Sequence, residues 1–208
     1  TSCCPAWSVM AKKLFPELAP YISMALTPMV LTARLMKKEH KNCKVAFIGP
    51  CSAKKLEASR RSVRSGVDFV LTFEEIMGMF EAKGVKFDQI DTSHPLEEAT
   101  AAGRGFAVSG GVASAVVDAV KRLDPTKEIP VQAAQGLHDC RKMLMVAKAG
   151  KLNGYLLEGM ACPGGCVAGA GTLQPINKAT ASINQYKKQA KDKNALDNKY
   201  KITLSLLD

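Results

Sequence analysis

The chain has 208 residues, of which 47% are hydrophobic, and a formal net charge of +10 at pH 7. This length fits one globular unit or two small lobes. No apolar run is long enough to cross a bilayer and no signal peptide is recognisable, so we expect no membrane span. Seven cysteines without a secretory signal favour metal binding or free thiols over disulfides, which predicts a cytoplasmic protein. Because the chain starts on a cysteine motif and not on methionine, we expect a fragment of a longer polypeptide.

The basic charge is concentrated near the C-terminus. Six lysines crowd one polar stretch, namely Lys187, Lys188, Lys191, Lys193, Lys199 and Lys201. Aromatic residues do not interleave with basic ones elsewhere, as they do on many nucleic-acid-binding surfaces. We therefore predict a solvated basic helix and tail over residues 175–208 and no nucleic-acid partner. Attraction of an acidic electron donor remains an alternative use of this charge.

Helices and strands are predicted to alternate along the chain. In order, the pattern predicts helices at 5–18 and 28–40, strands at 45–48 and 68–71, helices at 73–83 and 112–123, a strand at 131–134, a helix at 139–149, a strand at 155–157 and a helix from 175. In residues 200–207 apolar and polar side chains alternate weakly, which predicts an edge strand or a tail. Thr72 with Glu75 forms a capping-box pattern at one helix start. This alternation predicts an α/β fold with mainly parallel strand pairing.

Two cysteines follow predicted strands directly. Cys51 comes just after the strand at 45–48, and Cys162 after the strand at 155–157. In open α/β sheets, ligands bind at the rim formed by the carboxyl ends of the strands. The placement therefore predicts a shared site for these two thiols.

Five of the seven cysteines lie in three segments rich in Pro or Gly: TSCCPAW at 1–7, GPCSAKKLE at 49–57 and EGMACPGGC at 158–166. A cubane iron–sulfur cluster needs four thiolates, and the natural four are Cys4, Cys51, Cys162 and Cys166. Cys43 and Cys140 lack such neighbours and are interpreted as packing or surface thiols. A structural zinc site is the alternative, although no Cys-x-x-Cys pair is present.

In order and flanking residues, these segments resemble the three signature motifs of [FeFe]-hydrogenase catalytic domains. The resemblance covers the whole chain and implies a divergent H-cluster domain at 1–208, with the motifs in 1–174. It implies an iron hydrogenase-like fold of two lobes, with mainly parallel sheets flanked by helices and one lobe incomplete. It also implies a 4Fe-4S cubane joined to a diiron unit that carries carbon monoxide, cyanide and a dithiolate amine. The electron donor would be ferredoxin or upstream ferredoxin-like domains.

The resemblance also assigns roles to single residues. Cys166 would join the cubane to the diiron unit, and Cys4 would be a cubane ligand. Cys3 would pass protons, which suits a thiol with a reference pKa of about 8.5. Lys54 would bind a cyanide by a charge-assisted hydrogen bond. The alternatives are a packing cysteine at Cys3 and, at Lys54, a solvated lysine at a helix start like its neighbour Lys55.

Weaker matches lie between the motifs, and each could equally be core or turn chemistry. Those matches are Ser23 for the proton path and Thr27, Pro28, Pro50, Gly110, Gly111 and Met160 for the cofactor pocket. Gly49 and Met29 depart from the family pattern, which usually has methionine and glutamine there. These departures leave the direction and rate of turnover open.

The sequence therefore favours a hydrogenase catalytic domain, with 2H⁺ + 2e⁻ ⇌ H₂ as the reaction of the intact polypeptide. Residues upstream of the first motif complete one lobe in the family, so we expect this chain alone to be inactive, with or without a bound cluster. One alternative is an iron–sulfur assembly or scaffold protein that carries a cubane alone. Another is a hydrogen-sensing regulatory hydrogenase with slow turnover.

Overall fold

The computed structural model describes residues 3–91 and 98–201. In these ranges the elements are α1 (Pro5–Leu14), α2 (Pro28–Glu39), β1 (Ala46–Ile48), α3 (Ala53–Ser59), β2 (Phe69–Leu71), α4 (Phe73–Ala82), α5 (Ala101–Arg104), α6 (Gly111–Leu123), β3 (Val131–Gln135), α7 (Leu137–Lys148), β4 (Leu156–Met160) and α8 (Ile176–Lys188). Short 3-10 helices include Pro16–Tyr21 and Cys166–Ala168.

The described strands form two separate parallel pairs. β1 pairs with β2 from Ala46 opposite Phe69 to Ile48 opposite Leu71. β3 pairs with β4 from Val131 opposite Leu156 onward. Parallel neighbours need a crossover connection, and α3 and α7 lie in the two crossovers. The predicted α/β class with parallel pairing is confirmed, as two small sheets.

Most predicted boundaries agree with the structure to within two residues, but the first helix is shorter than predicted. It ends at Leu14, and Phe15 leaves the helical region with φ −135° and ψ 60°. The cause is Pro16, because proline disfavours helical backbone in the residue before it. A 3-10 helix beginning at Pro16 replaces the last predicted turn.

At the second sheet, the strand predicted at 155–157 is longer than expected. It runs on through Glu158 and Gly159 to Met160, and these three residues are buried. Between β2 and α4, the predicted capping box is confirmed, since Glu75 N donates to Thr72 Oγ1 and Thr72 N donates to Glu75 Oε2. The weak pattern at 200–207 lies mostly outside the described residues, which end at 201.

One buried cluster joins the start of the chain to the second sheet. It consists of Trp7, Ala11, Phe15, Ile22, Cys140 and Leu144, with Cys4, Met10, Leu18 and Ala134 packed against it. Trp7 lies directly on β4, where a Cβ built at Gly159 would be 2.0 Å from its Nε1. Glycine is therefore required there for this close approach. The packing holds the first cysteine motif beside the end of β4.

No helix among the described residues is both long and apolar enough to cross a bilayer.

Candidate metal centre

The three cysteine motifs converge at the ends of different elements. Cys4 is the residue before α1, Cys51 lies between β1 and α3, and the Cys162–Cys166 loop follows β4. All of these thiols are free and half-buried, as is Cys3. A loop after each sheet thus brings thiols to one region, as the strand positions predict.

The pKa shifts of the thiols reflect this proximity. Burial raises the pKa of Cys166 to about 12, and the neighbouring Cys51, Cys4 and Cys3 add to the rise. Burial also raises the pKa of Cys162, with further contributions from Cys4 and Cys51. A thiol influences another's pKa in this way because two nearby negative charges repel. Cys4 and Cys51 therefore lie within electrostatic reach of both Cys162 and Cys166, and Cys3 lies within reach of Cys4 and Cys166.

The first and third motifs are joined by a direct contact. Ala161 N donates to Cys4 Sγ at 3.4 Å, across 157 positions of sequence. Backbone N–H donation to sulfur is a recurrent means of tuning a thiolate ligand. Cys4 is thus placed and polarised by the loop that carries Cys162.

The loop between Cys162 and Cys166 depends on its two glycines. Gly164 and Gly165 have φ +94° and +97°, a region that side chains disfavour. A Cβ built at Gly165 would lie 2.6 Å from Ser109 N. The loop therefore packs against the 107–109 backbone in a way that other residues cannot reproduce.

Backbone contacts also fasten the second motif to the third. Gly171 N donates to Pro50 O at 2.9 Å. A Cβ built at Gly169 would lie 2.4 Å from the same oxygen. Pro50 thus has a positioning role next to Cys51, and its predicted contact with a cofactor stays a prediction.

Lys54 is buried and does not behave as a solvated helix-start lysine. Its Nζ lies 2.6 Å from Glu57 Oε2 and donates to Cys3 O at 3.3 Å. The ammonium has three N–H donors, and the third has no acceptor among the described residues. By contrast, Lys55 is exposed and pairs with Glu75. One buried donor is thus available beside Cys3 for an anionic or polar ligand.

Cys3 is half-buried next to this lysine, which donates to its carbonyl. Its pKa is raised mainly by burial, an effect that the positive charge of Lys54 opposes and that Cys4 and Glu158 reinforce. At neutral pH the side chain is therefore a protonated thiol. A thiol that carries its proton can release it to an acceptor and be reprotonated.

Glu158 is a site residue that the motif analysis did not select. Its side chain is fully buried and accepts from Gly110 N at 2.7 Å and from Ala113 N at 2.6 Å. A carboxylate at the N-terminus of α6 is favoured by the helix dipole. Gly110 is in the left-handed region with φ +87°. The predicted glycine pair at 110–111 is thus tied to β4, and the signal in the sequence was an acidic residue on a buried strand just before a cysteine motif.

The remaining predicted residues already have structural roles. Thr27 caps α2 by accepting from Val30 N at 3.4 Å, and Pro28 is the first residue of that helix. Ser23 is exposed, and its Oγ accepts from Ala25 N at 3.3 Å. Met160 is buried at the end of β4. Their predicted roles in a proton path or cofactor pocket remain predictions.

Ser23 and Thr27 do share a cavity with the buried ion pair. The cavity has a volume of about 410 Å³ and is lined by residues including Ser23, Thr27, Arg34 and Glu57. Ser23 therefore lines the same cavity as Glu57, the partner of Lys54.

The two departures from the family pattern are both buried. Met29, in the first turn of α2, has a buried side chain. At Gly49, an added Cβ would lie 2.9 Å from the ring of Phe47. Phe47 thus occupies space that a larger residue at Gly49 would need.

The other two cysteines behave as predicted. Cys140 is fully buried in the core, and burial raises its pKa to about 11. Cys43 is half-buried, and its Sγ is 3.8 Å from Met36 O.

The donor set consists of cysteine thiols. Within residues 3–91 and 98–201, no group of three or more His, Cys, Asp or Glu side chains is arranged as a ready site for a single metal ion. Four thiols from three loops, a glycine-rich approach and a buried spare donor suit the larger core of a cubane.

Comparison with known proteins identifies the family of the chain. A family model described as "Iron only hydrogenase large subunit, C-terminal domain" matches residues 1–170. The chain belongs to this family. Its relatives include the periplasmic [Fe] hydrogenase large subunit of Nitratidesulfovibrio vulgaris, 30% identical over 85% of this chain and 51% of the relative. They also include the cytosolic Fe-S cluster assembly factor narfl of Xenopus tropicalis, 26% identical over 88% of this chain and 48% of the relative.

The iron-only hydrogenase fold is also seen in solved structures. An [FeFe]-hydrogenase from Chlamydomonas reinhardtii matches with a TM-score of 0.70 and 20% identity, over 99% of this chain and 70% of that chain. The predicted fold class is thereby confirmed. The chain spans about half the length of the two relatives named above. Because the family contains both hydrogenases and assembly factors, membership indicates iron–sulfur chemistry and leaves the activity to be established.

Proposed function

We propose that this chain forms the cluster-binding part of an [FeFe]-hydrogenase that, in its intact polypeptide, interconverts 2H⁺ + 2e⁻ and H₂. The observation that carries the proposal is the hydrogen bond from the buried Lys54 ammonium to the Cys3 carbonyl. Iron–sulfur binding alone requires neither a buried ammonium nor a fifth thiol. Placing both beside the four candidate ligands suits a site that binds an anionic ligand and moves a proton.

Cys4, Cys51, Cys162 and Cys166 would hold a 4Fe-4S cubane, and Cys166 would also join it to the diiron unit. When bound, these groups would supply electrons and an open iron position. Before a cluster binds, the thiols of Cys162 and Cys166 are protonated at neutral pH, because burial raises their pKa. Loading therefore releases protons from these side chains.

Cys3 would carry the proton at Sγ. Its burial keeps the thiol protonated, and the Lys54 ammonium offsets part of that effect. Lys54 would stabilise a cyanide by its spare N–H, in a setting where burial strengthens a charge-assisted hydrogen bond. Ser23 lines the cavity that leads toward Glu57 and would extend the proton route toward solvent.

The proposal includes a ferredoxin or a ferredoxin-like domain as the electron donor and the cytoplasm as the compartment. Free thiols without a disulfide framework favour a reducing environment. The names of the relatives include both a periplasmic and a cytosolic protein. Fractionation of the source cells would separate the two compartments.

A second candidate is an iron–sulfur assembly protein with a cubane and no diiron unit. The relatives named as cytosolic Fe-S cluster assembly factors favour it, and one from Kluyveromyces lactis is 34% identical over 45% of this chain. In this candidate, Cys3 and Lys54 would have no chemical task. The two candidates therefore differ in the effect of changing these residues.

The test is hydrogen evolution by the intact protein loaded with iron, sulfide and a synthetic diiron precursor. We expect activity with a reduced mediator and a loss of at least about 100-fold in Cys3→Ala, the range typical of a lost proton-transfer group. Cys43→Ala is the matched control and should keep its activity. A loaded protein that evolves no hydrogen, or a Cys3→Ala variant as active as wild type, would contradict the proposal.

A further inference from the structure

The peptide group between Met160 and Ala161 is hydrogen-bonded to two cysteine side chains, one at its N–H and one at its carbonyl. On one side, Ala161 N donates to Cys4 Sγ at 3.4 Å. On the other, the Sγ of Cys140 donates to Met160 O at 3.5 Å. The donor N–H and the acceptor carbonyl belong to the same planar peptide group. Cys140 is therefore linked to a candidate cluster ligand through one peptide.

Cys140 is well placed to keep this contact. It is 0% exposed, in a core shared with Trp7 and Leu144 and touched by Cys4. Its Sγ also lies 3.4 Å from Ala134 O, so the thiol proton has two carbonyl acceptors from adjacent strands. Packing of this kind leaves the side chain little freedom to turn away.

The Met160 carbonyl receives a second donor from the backbone. Gly136 N donates to Met160 O at 2.8 Å, so the carbonyl uses both of its lone pairs when the thiol donates as well. The backbone contact persists whatever residue occupies position 140. The thiol is thus the part of the arrangement that a substitution can remove.

Hydrogen bonds in series strengthen one another. A donor to the carbonyl polarises the peptide and makes its N–H a better donor, by about 10–30% per bond. A stronger N–H bond to a thiolate sulfur favours the form of a cluster that carries the extra electron. A change at Cys140 is therefore expected to alter the reduction potential without touching the cluster.

We propose that Cys140 is a positioning residue that raises the reduction potential of the bound iron–sulfur cluster through the Met160–Ala161 peptide. The inference rests on Cys4 being a cluster ligand, which both candidate functions share. It does not depend on a diiron unit or on hydrogen turnover. Cys140 is thereby given a role beyond core packing.

The experiment compares variants that separate hydrogen bonding from packing. Cys140→Val keeps an apolar side chain of similar size and removes the donor, whereas Cys140→Ser keeps a donor. The intact protein is reconstituted with iron and sulfide, and the potential is measured by a redox titration monitored by electron paramagnetic resonance. Cys43→Val and Cys43→Ser are matched controls, because the Cys43 thiol also faces a carbonyl oxygen, that of Met36.

We expect Cys140→Val to have a lower reduction potential than wild type. Cys140→Ser should have a higher potential than Cys140→Val, and both Cys43 variants should match wild type. Equal potentials in wild type and both Cys140 variants, with the cluster bound in all three, would overturn the inference. If wild type binds no cluster, the proposed function fails instead. In that case the coupling through the peptide is tested in the protein without cluster by the amide proton shift of Ala161, which should move upfield in Cys140→Val; an unchanged shift would overturn the inference.

Discussion

The ammonium of Lys54 lies 2.6 Å from Glu57 Oε2, and the two side chains are 11% and 9% exposed. They stand one turn apart on α3, so the helix itself sets their spacing. The pair directs Lys54 toward Cys3, to whose carbonyl it also donates. Glu57 therefore determines where the buried positive charge of the site is held.

Replacing Glu57 with Gln should destabilise the fold. The change leaves a buried ammonium without a counter-charge, and breaking a buried pair costs about 3 kcal/mol or more. We expect a fall of about that size in the free energy of unfolding, measured by urea titration. Glu75→Gln, in the exposed pair with Lys55, is the matched control and should change it much less, because exposed ion pairs contribute little to stability. Equal effects of the two substitutions would contradict the assigned role of Glu57.

Replacing Glu158 with Gln should loosen the contact between β4 and α6. The carboxylate accepts from Gly110 N and Ala113 N, and Gln can satisfy one of these donors while its NH₂ opposes the other. Hydrogen bonds to a charged group contribute about 1.5–3 kcal/mol each, so we expect a loss of about 2 kcal/mol. The exposed Glu81→Gln serves as control, with a change within about 0.5 kcal/mol. An unchanged stability in Glu158→Gln would show that the hydrogen bonds from Gly110 N and Ala113 N to Glu158 do not stabilise the fold.

Replacing Gly165 with Ala should prevent cluster uptake. The new Cβ would meet Ser109 N at 2.6 Å in a backbone with φ +97°, so the loop between Cys162 and Cys166 would have to move. The measurement is iron bound per protein after reconstitution. Gly84→Ala shares a positive φ, +65°, but has open space around it, and it should cost about 1–2 kcal/mol of strain without loss of iron. Wild-type iron content in Gly165→Ala would contradict the close packing of this loop.

Asp68 should contribute stability that disappears in acid. Hydrogen bonds from Lys37, then Val45 N and Lys44, lower its pKa from 3.8 to about 2. A carboxylate with a lowered pKa stabilises the fold above its unfolded pKa and loses that effect as the pH falls through its folded pKa. The difference in free energy of unfolding between wild type and Asp68→Asn should therefore be constant above about pH 4 and shrink toward pH 2. A difference that does not vary between these pH values would rule out the ion pair as its source.

Local signals in the sequence predicted the local structure well. Thr72 and Glu75 lie three residues apart, and their capping box depends on nothing else in the chain. The Gly164–Gly165 pair likewise marks a tight loop in the sequence, and both residues have a positive φ in the structure. The early end of α1 was also foreseeable, because Pro16 restricts the residue before it.

Contacts between segments that are distant in sequence could not be predicted from the local sequence pattern. The burial of Lys54 depends on Cys3, 51 residues earlier, and the burial of Glu158 depends on α6, 45–48 residues earlier. The pairing of four strands into two sheets is likewise a tertiary result. The cysteine motifs could be chosen from their flanking residues, whereas the groups that position them required the fold.

The most direct test of the hydrogenase-type site is an infrared spectrum of the intact protein. The sample is loaded without oxygen with iron, sulfide and a synthetic diiron precursor. We predict sharp carbonyl and cyanide bands that are lost in Cys166→Ala and kept in Cys43→Ala. A protein that takes up a cubane but shows no such bands would contradict the hydrogenase assignment and favour the assembly candidate.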